Sequence, residues 1–346
     1  IDGGQNGSVV TFNNGEDENA VLSGFTITNG NETLGGGLSI GKNIPSSPLI
    51  INNIITENMG DLGGGIYCEN SYTKFNNNII IFNEAINSGG GLFINGSNIE
   101  IENSTVNSNT SNKGGALYIE SSNVDIKISL IADNVGTNNS NSYGAIVNSS
   151  NVTLTIDKVT FANNVRSAIL NTGTGDTNIT IQNSIFWNPN AQEEVGNTTV
   201  WNNDSVSNWV NLYYTNLDYS YCTGTWNGVV MAECEGNFFS NPEFTDPDNG
   251  DYTLQPSSPC IDAGDPESEL DPDGTRADMG AYPTYQGCTD PLTINGEYNP
   301  LADTNDGSCE FPVNGNYSLS FDGVNDWVEI SEQFIPLGND DRTIEL

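Results

Sequence analysis

The sequence predicts an all-β fold, a parallel β-helix in which short strands stack coil upon coil. Two interlocked repeats and the lack of helical periodicity predict this class. The first repeat is a glycine cluster followed by alternating apolar residues, as in Gly63–Cys68 and Gly89–Ile94. Its first apolar position recurs at steps of 23 to 29 residues, which is the spacing of a solenoid. The residues expected to stack in one buried ladder are Leu38, Ile66, Leu92, Leu117, Ile146 and Ile169.

The second repeat is a six-residue unit that closes on a polar residue, as in Asn53–Asn58 and Asn78–Asn83. We expect the closing side chain to point inward and to bond the same residue of the next coil, since buried turn backbone needs partners. The closing residues are Asn29, Asn58, Asn83, Ser108, Asn134, Asn163 and Asn188. A third element is a short alternating run such as Val152–Ile156, so each coil is predicted to hold three strands.

The glycine clusters have two interpretations. They are typical of tight turns that need positive φ or close backbone approach, and they are also found on flat ligand-binding faces. The sequence favours turn geometry, because the clusters recur once in each coil.

Charge and composition exclude several classes of function. The 346 residues include 8 basic and 45 acidic residues and no histidine, giving a net charge of −37. Nucleic acid is excluded as a partner because phosphate binding needs clustered lysine and arginine. The same acidity disfavours anionic membrane surfaces and favours divalent cations or salty surroundings. No apolar run is long enough for membrane insertion.

Cysteine spacing suggests an oxidising, extracellular setting. Of the six cysteines, Cys222 with Cys234 and Cys288 with Cys309 are close enough in sequence to form disulfides. Cys68 stands at an inward ladder position and is expected to be a buried thiol, whereas the state of Cys260 stays open. The chain begins at a residue other than methionine and ends inside a predicted strand, so we interpret it as a fragment of a longer protein.

Both repeats together, over residues 31–200, resemble the right-handed parallel β-helix repeat proteins of the pectate-lyase-like superfamily. The glycine-rich coils are most similar to those of large bacterial surface proteins. The resemblance implies a right-handed β-helix with a C-terminal cap. It does not imply one activity, because this fold hosts lyases, hydrolases, tailspikes and adhesins.

The predicted domains follow from these shifts in composition. Residues 1–204 are the coils, and residues 205–285 are terminal coils with an acidic cap. Residues 286–313 resemble a two-cysteine acidic module of secreted proteins from marine bacteria, and residues 314–346 resemble the start of a laminin-G or concanavalin-like lectin jelly roll, here truncated. Aromatic residues at 201–240 fit either sugar stacking or packing of the end coils, and packing is favoured.

These features predict a secreted or cell-surface, non-catalytic adhesin or structural rod that presents a glycan-binding domain to an extracellular glycan or surface polymer. The alternative is a polysaccharide lyase or glycoside hydrolase that acts on the flank of the β-helix. Hydrolysis would need two facing carboxylates. Asp125, Asp133 and Asp157 lie in the coils but on different strands or turns, so they are interpreted as solvated surface charges.

Calcium is the cofactor that the acidic C-terminal segment suggests, because packed carboxylates repel one another and calcium takes 6–8 oxygen ligands. The competing interpretation is a solvated acidic loop held by Asx-turns. The candidate ligands fall in two groups. The first is Asp265, Asp271, Asp273 and Asp278, and the second is Asp246, Asp248 and Asp251.

Overall fold

The computed structural model describes residues 1–137, 144–165, 168–172, 176–188, 200–202, 208–217, 225–226, 229–291, 299–300, 302, 304–305 and 308–309. These residues form a parallel β-solenoid of about six turns, which confirms the predicted fold class. The short 3-10 helix Pro247–Asn249 is the one helical element that they contain.

Four ladders of parallel strands run along the solenoid. The first ladder begins each coil and consists of Val21–Ser23, Leu49–Ile51, Lys74–Asn76, Asn98–Glu102, the first halves of Asn123–Ala132 and Val152–Ala162, Thr177–Gln182, Asn208–Tyr213 and Val229–Glu235, with Thr225–Trp226 antiparallel to the last. The second ladder consists of Thr26–Thr28, Ile54–Thr56, Ile79–Ile81, Thr105–Asn107, the second halves of the two long strands, Ile185–Trp187 and Asn216–Leu217.

The other two ladders complete the coil. The third ladder is short and consists of Asn31–Leu34, Met59–Leu62, Glu84–Ser88, Thr110–Lys113 and Val135–Gly136. The fourth ladder follows the glycine clusters and consists of Val10–Phe12, Leu38–Ile40, Ile66–Glu69, Leu92–Asn95, Leu117–Glu120, Ile146–Ser149, Ile169–Asn171 and Val200–Asn202. Outside the solenoid, Phe244–Asp246 pairs antiparallel with Asp251–Leu254, and Gln286–Gly287 pairs with Thr304–Asn305. Three of the four ladders correspond to the predicted strands, whereas the third lacks apolar alternation and was missed.

The predicted apolar ladder is confirmed. Leu38 pairs with Ile66, Ile66 with Leu92 and Leu92 with Leu117, and the register continues through Ile146 to Ile169. All six side chains are fully buried. Cys68 lies between Ile40 and Ile94 in the neighbouring ladder position, as predicted, and its thiol is free. Burial raises the pKa of the Cys68 thiol far above its usual range.

A buried asparagine ladder links the turns after the second ladder of strands. At Asn83 the side-chain amide donates to the carbonyl oxygen of Ile55 at 2.9 Å and to Asn109 Oδ1 at 3.0 Å. The backbone N–H of Asn58 donates to Asn83 Oδ1 at 3.1 Å. Each asparagine therefore satisfies buried backbone of its own coil and of its neighbours. The members are Asn58, Asn83, Asn109, Asn134, Asn164 and Asn188.

The sequence placed three members of this ladder one residue too early. Asn29, Ser108 and Asn163 have φ values of 57°, 54° and 50°, so they occupy the left-handed turn position instead. The inward position follows one residue later, at Gly30, Asn109 and Asn164. Asparagine suits both positions, since it tolerates left-handed backbone and can also bond inward. The sequence motif alone therefore could not fix the frame.

The glycine clusters serve turn geometry. Gly63 has φ of 68°, and a Cβ there would lie 2.1 Å from the carbonyl oxygen of Ile66. At Gly64 a Cβ would lie 2.3 Å from the carbonyl oxygen of Glu84. Both positions exclude any side chain, because no Cβ fits at such a distance from backbone.

One of the two predicted disulfides is confirmed, between Cys288 and Cys309. Cys222 and the side chain of Cys234 lie outside the described residues, as does the lectin-like segment 314–346, so these predictions stay predictions. Cys260, whose state the sequence left open, is a buried free thiol that accepts a hydrogen bond from Asn216 Nδ2 at 3.1 Å.

Candidate functional site on the solenoid flank

The acidic segment of residues 244–284, here named the strap, lies along the side of the solenoid. The sequence predicted that this stretch would close the end of the coils, but its observed contacts are lateral. It packs on outward-facing apolar residues of the second ladder in three successive coils. The covered residues are Leu130, Ala132, Ala162 and Ile185, and the strap residues against them are Phe244, Tyr252, Leu254, Cys260 and Met279.

Polar contacts fix the strap to the same coils. The N–H of Ala281 donates to Thr160 Oγ1 at 3.0 Å, and the N–H of Asp265 donates to Asn183 Oδ1 at 2.6 Å. The N–H of Gly280 donates to the carbonyl oxygen of Asn183 at 2.8 Å. The strap is therefore both apolar in its packing and hydrogen-bonded to the wall that it covers.

A buried ion pair forms the centre of this attachment. Lys158 of the solenoid donates from Nζ to Asp271 Oδ1 at 2.7 Å, and the Asp271 side chain is 2% exposed. The N–H of Asp278 donates to Asp271 Oδ2 at 2.7 Å. The Asp278 carboxylate in turn accepts the N–H groups of Asp262 and Thr284, both at 2.7 Å. Burial raises the pKa of Asp278 to about 6, although both N–H donors oppose this shift.

Lys158→Met is expected to loosen the strap by about 2 kcal/mol, because it leaves the buried Asp271 carboxylate without its cation. Limited proteolysis followed by mass spectrometry should show earlier cleavage within residues 244–284. Lys42→Met is the matched control, since the Lys42–Glu32 pair is long, at 3.8 Å, and partly exposed, so it contributes little. Equal cleavage of both variants would contradict the lateral attachment.

A groove, here named the flank groove, opens beside the strap hairpin. Its volume is about 560 Å³. The solenoid supplies one wall, and the turn of the hairpin, Pro247–Gly250, supplies the other. The lining residues are Ile81, Phe82, Asn107, Ser108, Asp133, Asn163, Trp187, Pro247, Asp248, Asn249, Gly250 and Tyr252.

Asp133 ties the two walls of the flank groove together. The Tyr252 hydroxyl donates to Asp133 Oδ2 at 3.0 Å, and the amides of Asn107 and Asn163 also donate to this carboxylate. Burial and the nearby Asp133 charge raise the pKa of Tyr252 well above its usual range, so it stays a donor. The interpretation of Asp133 as a solvated charge was therefore wrong. Asp157 likewise accepts a hydrogen bond from Asn183 at 2.9 Å, whereas Asp125 is exposed as predicted.

Phe82 is the most unusual residue of the flank groove. Its φ is 54° and its side chain is 60% exposed. The corresponding left-handed position holds Glu57, Ser108, Asp133 or Asn163 in other coils. Short polar residues are favoured at such a position, and a bulky aromatic ring there is an outlier.

The structure distributes the predicted calcium ligands over two places. Asp271 and Asp278 are buried together, and Asp246 pairs with Asp251 across the strap hairpin. Asp246 accepts a hydrogen bond from Asn249, while Asp251 and Asp273 accept the N–H groups of nearby threonines. The exposed Asp248 lines the flank groove, and Asp265 accepts the N–H of Glu267. In the part of the chain that the structure describes, no three acidic or cysteine side chains converge as a metal group.

Sequence reasoning missed the flank groove. It singled out neither Phe82 nor Trp187, because each belongs to a strand-and-turn unit that looks like its neighbours. One signal could have found Phe82: aligning the units places it where other coils carry Glu57, Asp133 and Asn163. Tyr252 gave no signal, since its contact with Asp133 joins residues 119 positions apart.

The fold and its flank define a parallel β-solenoid protein with a lateral strap. Residues 154–267, roughly one third of the chain, match a family described as a domain of unknown function (DUF5123). That segment includes most of the strand Val152–Ala162, the solenoid strands that follow it and the first half of the strap. No curated protein and no solved structure matches the chain. None of the helices in the described ranges has the length and hydropathy to cross a membrane.

Proposed function

We propose that the protein is a secreted or cell-surface, non-catalytic rod that presents a glycan-binding domain to an extracellular glycan or surface polymer. The observation that carries the proposal is the unbroken register of the fourth ladder, from Val10–Phe12 to Val200–Asn202. Backbone hydrogen bonds, buried apolar ladders and the asparagine ladder all run from coil to coil in one direction. Such an arrangement suits an extended spacer, because each coil is supported by its neighbours.

Three further features support an extracellular adhesin. The Cys288–Cys309 disulfide is typical of oxidising compartments. The net charge of −37 keeps an exposed rod apart from nucleic acid and anionic membranes. The segment 314–346 resembles the beginning of a lectin domain, which a rod would hold away from its anchor.

The enzyme alternative has less support. A glycosidase needs two carboxylates that face one substrate bond. In the described coils, Asp133 and Asp157 each hold structural hydrogen bonds. Lys74 and Lys158 are each paired with a carboxylate, and Arg276 lies over the ring of Tyr214. A cleft that binds an acidic polysaccharide needs several basic side chains close together.

A pair of assays tests the rod proposal. The chain, extended so that its lectin-like segment is complete, should bind a subset of a glycan array. The 346-residue chain should release neither reducing ends nor unsaturated sugars from pectin, alginate or neutral glycans. Release of either product would overturn the non-catalytic proposal. Binding to none of the glycans on the array would overturn the adhesin proposal.

We also propose that calcium stabilises the acidic strap, because the stretch from Glu243 to Asp278 holds eleven carboxylates and one cation, Arg276, and the solenoid adds only Lys158, at Asp271, among the described contacts. Millimolar calcium added to chelator-treated protein is expected to raise the melting temperature, measured by differential scanning fluorimetry. Magnesium is the matched control, since it prefers rigid octahedral sites. No calcium shift, or the same shift in Asp246→Asn/Asp251→Asn and Asp271→Asn/Asp273→Asn variants, would exclude these sites.

A further inference from the structure

We propose that Lys158 and Asp271 join through a side-chain amide bond that ties the strap covalently to the solenoid wall. The bond forms between Nζ of Lys158 and Cγ of Asp271 and releases one water molecule. It goes beyond the rod proposal, which needs neither the strap nor a cross-link. Four features support it: the closeness of the two side chains, the fixed orientation of the carboxylate, its burial and the backbone conformation of the lysine.

The two side chains are placed as reactants. Lys158 Nζ lies 2.7 Å from Asp271 Oδ1, and the carbon to be attacked is one bond beyond that oxygen. Groups held in a fixed geometry about 3–3.5 Å apart behave as if present at about 10⁵ M or more. Such an effective concentration offsets the preference of free amines and carboxylates in water for the separate, ionised state. The two residues are 113 positions apart, so only the folded chain brings them together.

The carboxylate of Asp271 is held in a single orientation. The N–H of Asp278 donates to its Oδ2 at 2.7 Å, which leaves Oδ1 for the lysine. Its backbone lies in a tight turn, where the Asp271 N–H donates to the carbonyl oxygen of Thr275 at 3.0 Å and the Gly274 N–H donates to the carbonyl oxygen of Asp271 at 2.8 Å. A donor on Oδ2 stabilises the negative charge that develops there when Cγ is attacked. The oxygen that remains in the amide is therefore the one that the strap already binds.

Burial favours the amide over the ion pair. The Asp271 side chain is 2% exposed and that of Lys158 is 19% exposed. Two charges that are taken out of water carry a desolvation penalty, which a neutral amide does not carry. The exposed part of the lysine gives the product water a route to solvent, and the buried Cγ is shielded from the bulk water that would hydrolyse the bond.

The reaction balances without a co-reactant. One proton passes from the Lys158 ammonium to Oδ1 of Asp271, which gives a neutral amine and a carboxylic acid. The amine attacks Cγ, and the Nζ–Cγ bond forms while the electron pair of the C=O bond moves to Oδ2. A second proton passes from Nζ to Oδ1, the Cγ–Oδ1 bond breaks, the C=O bond re-forms and Oδ1 leaves as water. The nitrogen keeps one hydrogen, one positive and one negative charge disappear, and nothing is oxidised or reduced.

The backbone of Lys158 is adapted to this contact. Its φ is 54°, and the equivalent turn position holds Asn103 and Asn183 in other coils. Asparagine tolerates left-handed backbone, whereas a lysine there is uncommon. An unfavourable conformation persists where the surrounding structure requires it. The strap is fixed to the wall on either side of the lysine, at Thr160 and at Asn183, so the spacing between the two reacting side chains is set by the fold.

Intact mass spectrometry of the folded, purified and then reduced 346-residue chain tests the proposal. Its mass should be lower than the sequence requires by about 18 Da, the mass of one water. Tryptic digestion of the denatured chain should then recover residues 128–166 joined to residues 167–276. Trypsin does not cleave after an acylated lysine, and apart from Lys158 the one basic residue between Lys127 and Arg276 is Arg166.

Lys158→Arg separates the covalent bond from the ion pair. Arginine keeps the positive charge and pairs with carboxylates, but its delocalised guanidinium does not form this amide. This variant should have its full sequence mass and yield no joined peptides. Lys74→Arg is the matched control, because Lys74 pairs with Glu100 at 2.9 Å but is 64% exposed. It should lose one water, as the parent does.

A parent chain that keeps its full sequence mass after folding and prolonged incubation would overturn the cross-link. The same holds if Lys158→Arg also loses one water. A loss that maps within a single tryptic peptide would identify a cyclic imide at an aspartate and would equally contradict the bond. The rod proposal is tested by glycan binding and cleavage, which do not depend on this bond, so the two can fail separately.

Discussion

Ile94→Asp is expected to unfold the central coils of the solenoid. Ile94 is fully buried between Cys68 and Ile119, so a carboxylate there has no partner and no access to water. An unpaired buried charge costs several kcal/mol, which is comparable to the whole stability of many domains. Because each coil is supported by the next, the loss spreads to neighbouring coils. Circular dichroism during heating should show a melting temperature lowered by tens of degrees, or no folded protein.

Asn95→Asp is the matched control for this prediction. It adds the same charge one residue later in the same strand, at a partly exposed position. Its melting temperature should fall by far less than that of Ile94→Asp, because the new carboxylate remains hydrated and its repulsion from the neighbouring Glu69 and Glu120 is screened by solvent. Equal effects of the two variants would contradict the observed register of the fourth ladder.

Asn83→Ala is expected to lower the free energy of unfolding by about 3 kcal/mol. The substitution removes an amide that donates to Ile55 and Asn109, and an oxygen that accepts from Asn58. Each buried group that loses its partner costs about 1–3 kcal/mol. The cost falls on two neighbouring coils as well as on its own, since the partners lie on both sides.

Chemical denaturation monitored by tryptophan fluorescence measures this loss. Asn123→Ala is the control, because Asn123 is exposed and its amide bonds only the side chain of Asn98. It should change the stability by less than about 0.5 kcal/mol. If Asn83→Ala were equally mild, the buried asparagine ladder would not be a source of stability.

The periodic part of the fold could be predicted from the sequence because every coil repeats the same physical requirement. An inward apolar residue recurs at Leu38, Ile66 and Leu92. A glycine recurs where the turn packs directly against backbone, as at Gly63. The predicted frame of the asparagine ladder was wrong where both candidate positions are polar, as at Asn163 and Asn164, and at Asn29, where the inward position is Gly30 and has no side chain. The third ladder was not predicted, because apolar and polar residues do not alternate along its strands.

The flank could not be predicted, because its contacts join residues that are far apart in sequence. Lys158 and Asp271 are 113 positions apart, and no local pattern indicates that they meet. The acidic strap looked like an end cap since solenoids require one. The outward-facing apolar side chains of Leu130 and Ile185 determine where the strap lies. Such residues are not expected on a strand that buries only its inward face.

The lateral strap has a mechanical consequence for a rod under tension. Inter-coil hydrogen bonds point along the long axis, so pulling on the two ends loads each interface between coils in series. The strap joins three successive coils, because Tyr252 bonds Asp133, Ala281 bonds Thr160 and Asp265 bonds Asn183, so it carries part of the load in parallel with their interfaces. In the described residues, the strap reaches back as far as Thr105, whose side chain is hydrogen-bonded to Tyr282. The coils before Thr105 lack this brace on their second ladder, where Ile54 and Ile79 remain exposed. Single-molecule pulling should therefore rupture the N-terminal coils first and leave the strapped coils intact at forces that have already opened the rest.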